Sequence, residues 1–398
     1  MKIMVLSWSM RGGAGAEKVL SRLTFALKDD IDFVCVYPKM DGFGFGEYDI
    51  PFRGKQIEVD IGWNQPIRSI PHRLSKLFYK LKELRRIIHE ENPDLILSNS
   101  IHIWHHLIVG LKLSRLTTKK IILRFGNPVS EDIKKYGRLY TMLMRLGMQS
   151  VDQTIVNAEG IATELKNLFR VSPTKINIIN NSIPLDEIRT LSQEGICTPP
   201  FGGDLPIILN VARLSDQKNQ VLLIKAFQKV QEDVEANLVI VGAGPLEGEL
   251  RRLVHNLGLE EKVHFLGWQD NPFKYMRKAD LFVLSSNYEG FGNVIVEAMA
   301  CGCPIITTNC PYGPLEILGD GEYGVLVPVG EEERLTTEIV RLLCNEELRQ
   351  TLVKKGKQRA SKFDAEMIAD QYARVFHDLG GQWNGLEPSG LYNKAQKV

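Results

Sequence analysis

One unit recurs along this chain, and it restricts the fold more than any other feature. A short apolar run ends in a turn of glycine or polar residues, and a segment with helical spacing follows. Residues 2–6 are such a run; then come Arg11-Gly-Gly-Ala-Gly-Ala-Glu17 and apolar positions at 19, 20, 23 and 27. Further runs lie at 33–37, 94–98, 120–123, 151–157 and 176–181, with 151–157 read as the last full strand of this half. The pattern restarts at 206–212 and continues at 237–241, 263–266, 279–284, 304–308 and 323–327. Continuously apolar strands alternating with helices predict parallel sheets covered on both faces, a doubly wound α/β architecture. A chain of 398 residues suits two such domains. Residues 192–205 are rich in Gly and Pro without apolar periodicity and are read as the linker. The expected plan is a first domain over 1–191, a second over 206–363, a final helix over 364–380 and a frayed tail over 381–398. Asp364 is placed to cap that helix, with Phe363 and Ile368 as a hydrophobic staple. Residues 41–54 read as an exposed loop.

The net charge of +1 gives no reason to expect a nucleic-acid partner, and 44% apolar with 24% charged residues is ordinary for a globular protein. The distribution is uneven: residues 51–150 hold 18 Lys and Arg against 8 Asp and Glu. Two amphipathic helices lie there. One carries a stripe at Leu74, Leu77, Phe78, Leu81, Leu84 and Ile88; the other spans 133–148. A basic helix can simply bury its stripe in a core, or it can face anionic headgroups or a lipid-linked diphosphate. His102, His105 and His106 share a helical face only in part, and no nearby carboxylate completes a metal set. The spacing of Cys301, Cys303 and Cys310 fits no common zinc site and reads as buried thiols. No run of about 18 apolar residues is present, and residues 1–9 are too short for a signal peptide. A cytoplasmic protein with at most peripheral membrane contact is expected.

The chemistry concentrates in residues 288–297, Tyr-Glu-Gly-Phe-Gly-Asn-Val-Ile-Val-Glu. A strand, a glycine-rich turn and a helix start make an anion site from free backbone N–H groups and the helix dipole. Two carboxylates flank it, Glu289 in the turn and Glu297 about one helical turn further on. A carboxylate beside a phosphate repels it, so Glu297 is better suited to hydroxyls. Phosphate on the turn, ribose on one carboxylate and sugar on the other describe a nucleotide-sugar.

The Glu289-x7-Glu297 motif, followed by Ala298-Met-Ala-Cys-Gly-Cys-Pro-Ile-Ile306, resembles the retaining glycosyltransferases of family 4. So do Asn210-Val-Ala-Arg-Leu-Ser-Asp-Gln-Lys218, Gly242-Ala-Gly-Pro245, Phe265-Leu-Gly-Trp268 and Pro311-Tyr-Gly-Pro-Leu-Glu316. The likeness covers nearly all of the second half and is looser in the first. It implies a GT-B fold, with two Rossmann-like domains facing across a cleft and the final helix crossing back to the first. It also implies retention of configuration without a required metal or cofactor. Arg213 and Lys218 would hold the donor diphosphate, Glu297 the ribose and Glu289 the donor sugar. Gly244, Gly290, Phe291, Gly292 and Asn293 would line the donor. Either Gly13 or Gly15 of the first turn would face the diphosphate. Many members carry a His after the strand equivalent to 120–124; here Arg124 or Asn127 stands nearest.

The variants at 287–293 and 311–316 look most like bacterial enzymes of surface-glycan assembly. They imply a UDP-sugar donor of hexose or N-acetylhexosamine type, and a glycan acceptor carried on a polyprenyl diphosphate. Two other readings use the same architecture, a non-catalytic nucleotide-sugar-binding protein and a sugar-nucleotide epimerase. Intact Arg213, Lys218, Glu289 and Glu297 weigh against the first, and the context of the two glutamates against the second.

Overall fold

The computed structural model describes residues 1–7, 15–27, 31–39, 50–60, 70–99, 102–195 and 205–380. Its first sheet is parallel throughout and holds β1 (Lys2–Leu6), β2 (Asp32–Pro38), β3 (Lys55–Val59), β4 (Leu95–Asn99), β5 (Lys120–Phe125), β6 (Gln153–Val156) and β7 (Ile176–Ile178), in the order β3-β2-β1-β4-β5-β6-β7. The helices between them are α1 (Gly15–Ala26), α2 (Ile70–Glu91), α3 (His102–Leu113), α4 (Val129–Met148) and α5 (Glu159–Phe169). After a short α6 (Leu185–Leu191), a second parallel sheet holds β8 (Ile207–Val211), β9 (Asn237–Val241), β10 (Val263–Gly267), β11 (Leu281–Leu284), β12 (Ile305–Thr308) and β13 (Val325–Val327), in the order β10-β9-β8-β11-β12-β13. Its helices are α7 (Gln220–Asp233), α8 (Glu247–Asn256), α9 (Phe273–Lys278), α10 (Asn293–Cys301), α11 (Gly313–Leu318), α12 (Glu332–Leu343) and α13 (Glu346–Ala360), with α14 (Ala365–Gly380) last.

Alternate strand residues feed opposite faces, as the period of two requires. In the first sheet Met4, Leu6, Ile96, Ile121 and Leu123 meet α2 to α5. Ile3, Val5, Leu95, Leu97 and Ile122 meet α1 and α14. In the second, Ile208, Leu238, Ile240 and Val283 meet α7, α8 and α12, whereas Leu209, Val239, Phe282 and Leu284 meet α6, α9 and α10. Each sheet is therefore buried on both sides, and the doubly wound expectation holds for both domains.

Several expectations are corrected. Residues 55–59 form edge strand β3, and Ile50 and Phe52 are buried, so 41–54 is not exposed throughout; residues 41–49 lie outside the described residues. Strand β6 is not the last of its sheet, because β7 pairs beside it. Helix α6, assigned by sequence to the first domain, sends Ile188 into the core of the second, with Ile183 just before it. The chain thus leaves the first domain near Ile179 and not at residue 191. Residues 196–204 of the expected linker lie outside the described residues, as does the 381–398 tail.

The return crossing runs beside the outward one. Ile183 N–H donates to the Phe363 carbonyl at 2.9 Å, and Ile183 pairs in parallel with Asp364. Asp364 caps α14 through Glu366 N–H at 3.0 Å. The expected staple does not form as one local contact: Phe363 belongs to the second domain's core and Ile368 to the first. The helix starts where the chain changes domains, so the two side chains diverge. Cys301, Cys303 and Cys310 are buried free thiols, and burial pushes Cys301 up to about 12.

Candidate active site

Strand order reverses in the second sheet at the neighbours β8 and β11, and open α/β sheets place ligands at the carboxyl ends of such a pair. The turn after β8 carries Arg213 and Lys218, and the loop after β11 carries Glu289 to Gly292. Hydrogen bonds stitch turn and loop together. Ser285 Oγ donates to the carbonyls of Lys218 at 3.0 Å and Asn219 at 2.9 Å. Gln217 Nε2 donates to the Tyr288 carbonyl at 3.0 Å, and Asn287 Nδ2 to that of Asp216 at 2.8 Å. Gly244 supports the turn from behind: a Cβ there would lie 2.2 Å from the Leu214 carbonyl oxygen, so only glycine fits.

The charges are ordered by that scaffold. Lys218 Nζ donates to Glu289 Oε1 at 2.5 Å, and Ser286 Oγ donates to the same oxygen at 2.6 Å. Glu289 is buried, while the Lys218 side chain keeps 17% exposure. Arg213 is exposed, and its guanidinium has no hydrogen bond or ion pair among the described residues. Gly292, at φ +94°, turns the loop into α10, where Asn293 is the first residue. Phe291 is buried with its ring 5.5 Å from Phe363.

The other wall comes from the first domain. A Cβ on Gly290 would lie 1.8 Å from the Gly126 carbonyl oxygen, so the two backbones touch across the cleft. Asn181 Nδ2 donates to Asn293 Oδ1 at 2.8 Å. Glu297 faces Arg22 of α1, with Nη1 3.7 Å from Oε1. Burial pushes the Glu297 carboxyl above its ordinary range, and Arg22 and Lys18 pull it partly back. Lys18 also lies 5.3 Å from the Trp268 ring. Gly15 opens α1 with Asn293 nearby, whereas Gly13 lies outside the described residues.

The structure separates Arg124 from Asn127. Arg124 is buried and turned inward: Nε donates to Tyr372 Oη at 2.8 Å, Nη1 to Asn99 Oδ1 at 2.9 Å and Nη2 to Asn181 Oδ1 at 2.6 Å. It joins β4, β5, the crossing and α14, and is not the residue that faces the 289–292 loop. Asn127 is exposed, and its Oδ1 lies beside Gly290. His105 is also structural, with Nε2 3.2 Å from the Ser98 carbonyl and its ring 4.8 Å from Phe125. The side chains of His102 and His106 lie outside the described residues.

Sequence reasoning missed Lys18 and Arg22, Ser286, Asn181, Glu164 and the role of Tyr312. Lys18 and Arg22 left a signal, two cations four apart on the helix after the first glycine turn. Asn181 and Glu164 left none, because their partners are distant in sequence.

Comparison with known proteins fixes the family. Residues 13–187 match the model of Glycosyltransferase Family 4, and residues 198–359 that of Glycosyl transferases group 1. A Campylobacter jejuni protein named N-acetylgalactosamine-N,N'-diacetylbacillosaminyl-diphospho-undecaprenol 4-alpha-N-acetylgalactosaminyltransferase is 31% identical over 375 residues, 92% of this chain and 97% of that one. The chain belongs to glycosyltransferase family 4. This glycosyltransferase is also 29% identical over 281 residues to the lipopolysaccharide core biosynthesis glycosyltransferase LpsE of Rhizobium meliloti, spanning 68% and 80% of the two chains. Among solved structures, Anabaena Alr3699/HepE in complex with UDP superposes with a TM-score of 0.74 at 23% identity, over 95% of this chain and 100% of that one. The fold is GT-B.

Proposed function

We propose that this glycosyltransferase moves a hexose or N-acetylhexosamine from a UDP-sugar to a polyprenyl-diphosphate-linked glycan, with retention and without a metal, during assembly of a surface polysaccharide. The observation that carries this reading is the similarity over nearly the full length of both chains to the C. jejuni transferase, whose name specifies a lipid-diphosphate acceptor. The site supports it. Arg213 and Lys218 supply fixed positive charge where a departing nucleoside diphosphate develops negative charge. Glu289 is tied through Oε1 to Lys218 and Ser286, which leaves Oε2 to accept a sugar hydroxyl. Same-face attack through an oxocarbenium-like state then suits the site better than a carboxylate nucleophile, with the donor phosphate taking the acceptor's proton.

The acceptor side is proposed to lie on the inner face of the cytoplasmic membrane. Helix α3 packs between α2 and α4. These helices and the turn after α3 expose Phe78 and Tyr79, Leu113 and Leu116, and Met142 and Leu146, with Lys82, Arg85 and Arg115 also exposed. Phe78 was expected in the helix's core stripe; it is 71% exposed, while Leu84 and Ile88 from the same stripe are buried. Apolar side chains among basic ones suit an anionic bilayer surface. No helix among the described residues is long and apolar enough to cross a membrane.

The test is a panel of UDP- and GDP-sugars with EDTA present, with and without polyprenyl-diphosphate glycans. Transfer from a UDP-sugar to the lipid-linked acceptor, with an α-anomeric product from an α-donor by NMR, is the expected result. Binding without turnover on any acceptor overturns it, as does donor conversion without transfer.

A further inference from the structure

The donor domain grips one segment of the opposite domain, residues 126–134, at three places. Gly290 meets the Gly126 carbonyl backbone to backbone. Tyr288 lies in the field of Glu131 and Lys134 in the first turns of α4. The third contact is Tyr312, from the Pro-Tyr-Gly-Pro turn before α11, and it is the most elaborate.

Helix α4 begins after Pro128 with no side-chain cap of its own. Its first amides are satisfied from outside: Glu164 Oε2 of α5 accepts Val129 N–H at 2.7 Å and Ser130 N–H at 3.3 Å. The other oxygen of that carboxylate, Oε1, accepts the Tyr312 hydroxyl at 2.5 Å. One turn later Glu316 does the same for α5, accepting Glu159 N–H and Asn180 Nδ2, each at 2.9 Å. The Tyr312 ring packs against the first domain's core and lies over Gly160, where a Cβ would be 2.0 Å from a ring carbon. Tyr312 holds φ +84° and ψ −105°, a conformation that costs a bulky residue about 1–3 kcal/mol and persists only where surroundings impose it. The next residue, Gly313, abuts the donor loop: its Cβ would lie 1.9 Å from the Phe291 carbonyl oxygen.

These contacts form one connected path. The donor loop at Phe291 bears on Gly313, Tyr312 bears on Glu164, and Glu164 holds the start of α4 and the loop before it. We propose that Tyr312 is a positioning residue that sets the 126–130 loop and α4 according to the state of the donor loop, so that a bound donor raises affinity for the acceptor. The coupling rests on the transferase reading above; the contact path does not. Burial and the Glu164 hydrogen bond push the Tyr312 phenol up to about 12, so it remains a donor across the working pH range. Coupling of this kind is reciprocal and typically amounts to about 5-fold or more in affinity.

The test has two arms, both on the full chain with Tyr312→Phe, which keeps the ring and removes the hydroxyl. Hydrogen exchange without substrate should rise about fivefold or more at Val129 and Ser130, with β4 unchanged; unchanged exchange at those two amides overturns the path whatever the reaction is. In the second arm UDP binding is first confirmed by calorimetry, and its absence counts against the donor-site reading while the exchange arm still decides the path. Steady-state rates should then show an acceptor KM raised about 5- to 10-fold, with donor KM within about twofold. Glu164→Gln should reproduce this, and the double variant should be no worse than either single one, since both break one path. An equal rise in both KM values, or additive losses in the double variant, overturns the coupling.

Discussion

Two cations, one in each domain, stand under opposite regimes. Lys218 shares a carboxylate with a serine and keeps part of its side chain open to the cleft. Arg124 is sealed, its partners are neutral oxygens from three separate segments, and buried Glu17 lies in its field. An accessible ammonium can exchange its partner for a diphosphate. A sealed guanidinium cannot, and its rigid fork of donors instead fastens β5 to β4, to the crossing at Asn181 and to α14. Arg124 sits at the carboxyl end of β5 and Lys218 in the turn after β8, each at the ligand-binding edge of a doubly wound sheet. Position at the strand end therefore does not decide between ligand binding and domain fastening; partner chemistry and access do.

The sharpest way to break this contrast is Arg213→Ala. Its guanidinium is exposed and unpaired among the described residues, so removal should leave thermal unfolding unchanged. If Arg213 holds the leaving diphosphate as proposed, its loss should lower kcat/KM by about 10²- to 10³-fold. Near-normal turnover in a radiolabelled-sugar assay would remove Arg213 from the donor site. Lys218→Ala is a less clean probe, because it strands the buried Glu289 carboxylate. It should lose similar activity and also about 3–5 kcal/mol of stability. Adding Glu289→Gln should restore much of the stability and none of the activity; if stability stays low, the pair is not what costs it.

Arg124→Met tests the other wall. It leaves Asn99, Asn181 and Tyr372 without their buried donor, a cost of about 2–4 kcal/mol read as an earlier denaturant midpoint. Loosening of α14 and of the Asn181–Asn293 link should follow, with kcat/KM lowered less than in Arg213→Ala. An activity loss as deep as that of Arg213→Ala, with unfolding unchanged, would make Arg124 a ligand-binding residue and erase the distinction.

The same contrast explains which parts were legible in the sequence. The donor wall is built from contiguous motifs, 210–218, 242–245 and 287–297, each a short run at the end of a strand, and they support one another at neighbouring strand ends. Residue identity there nearly specifies structure. On the other wall Arg124 meets Tyr372 at a separation of 248 residues and Asn181 at 57. No local spacing encodes such pairs, so Arg124 read only as a polar residue at a strand end. Helix α6 was misplaced for the same reason, since an amphipathic turn shows which residues are apolar but not which core takes them. Strand β3 was missed because an edge strand with the burial of 55–59, mostly exposed, lacks the apolar run that marked the others.

The smallest effect concerns Glu297. Burial raises the Glu297 carboxyl above its ordinary 4.5, with Arg22 at 3.7 Å offsetting only part of that. A raised acid binds its proton more tightly in the folded than in the unfolded chain. Stability is then greatest below 4.5 and falls as pH rises through the raised value, because the folded protein must ionise a partly buried, desolvated group. Glu297→Gln mimics the protonated form, so it should unfold at a higher temperature than the parent at pH 8, and the gain should vanish towards pH 4. If the ionised form accepts ribose hydroxyls, the same variant should bind UDP about 3- to 10-fold more weakly, the worth of one or two hydrogen bonds. Parental UDP affinity should fall as pH drops through the raised value, while that of the variant stays flat. A variant less stable than its parent at pH 8 would mean that the Arg22 contact outweighs desolvation. Glu297 would then be a fastening group like Arg124, standing on the donor wall.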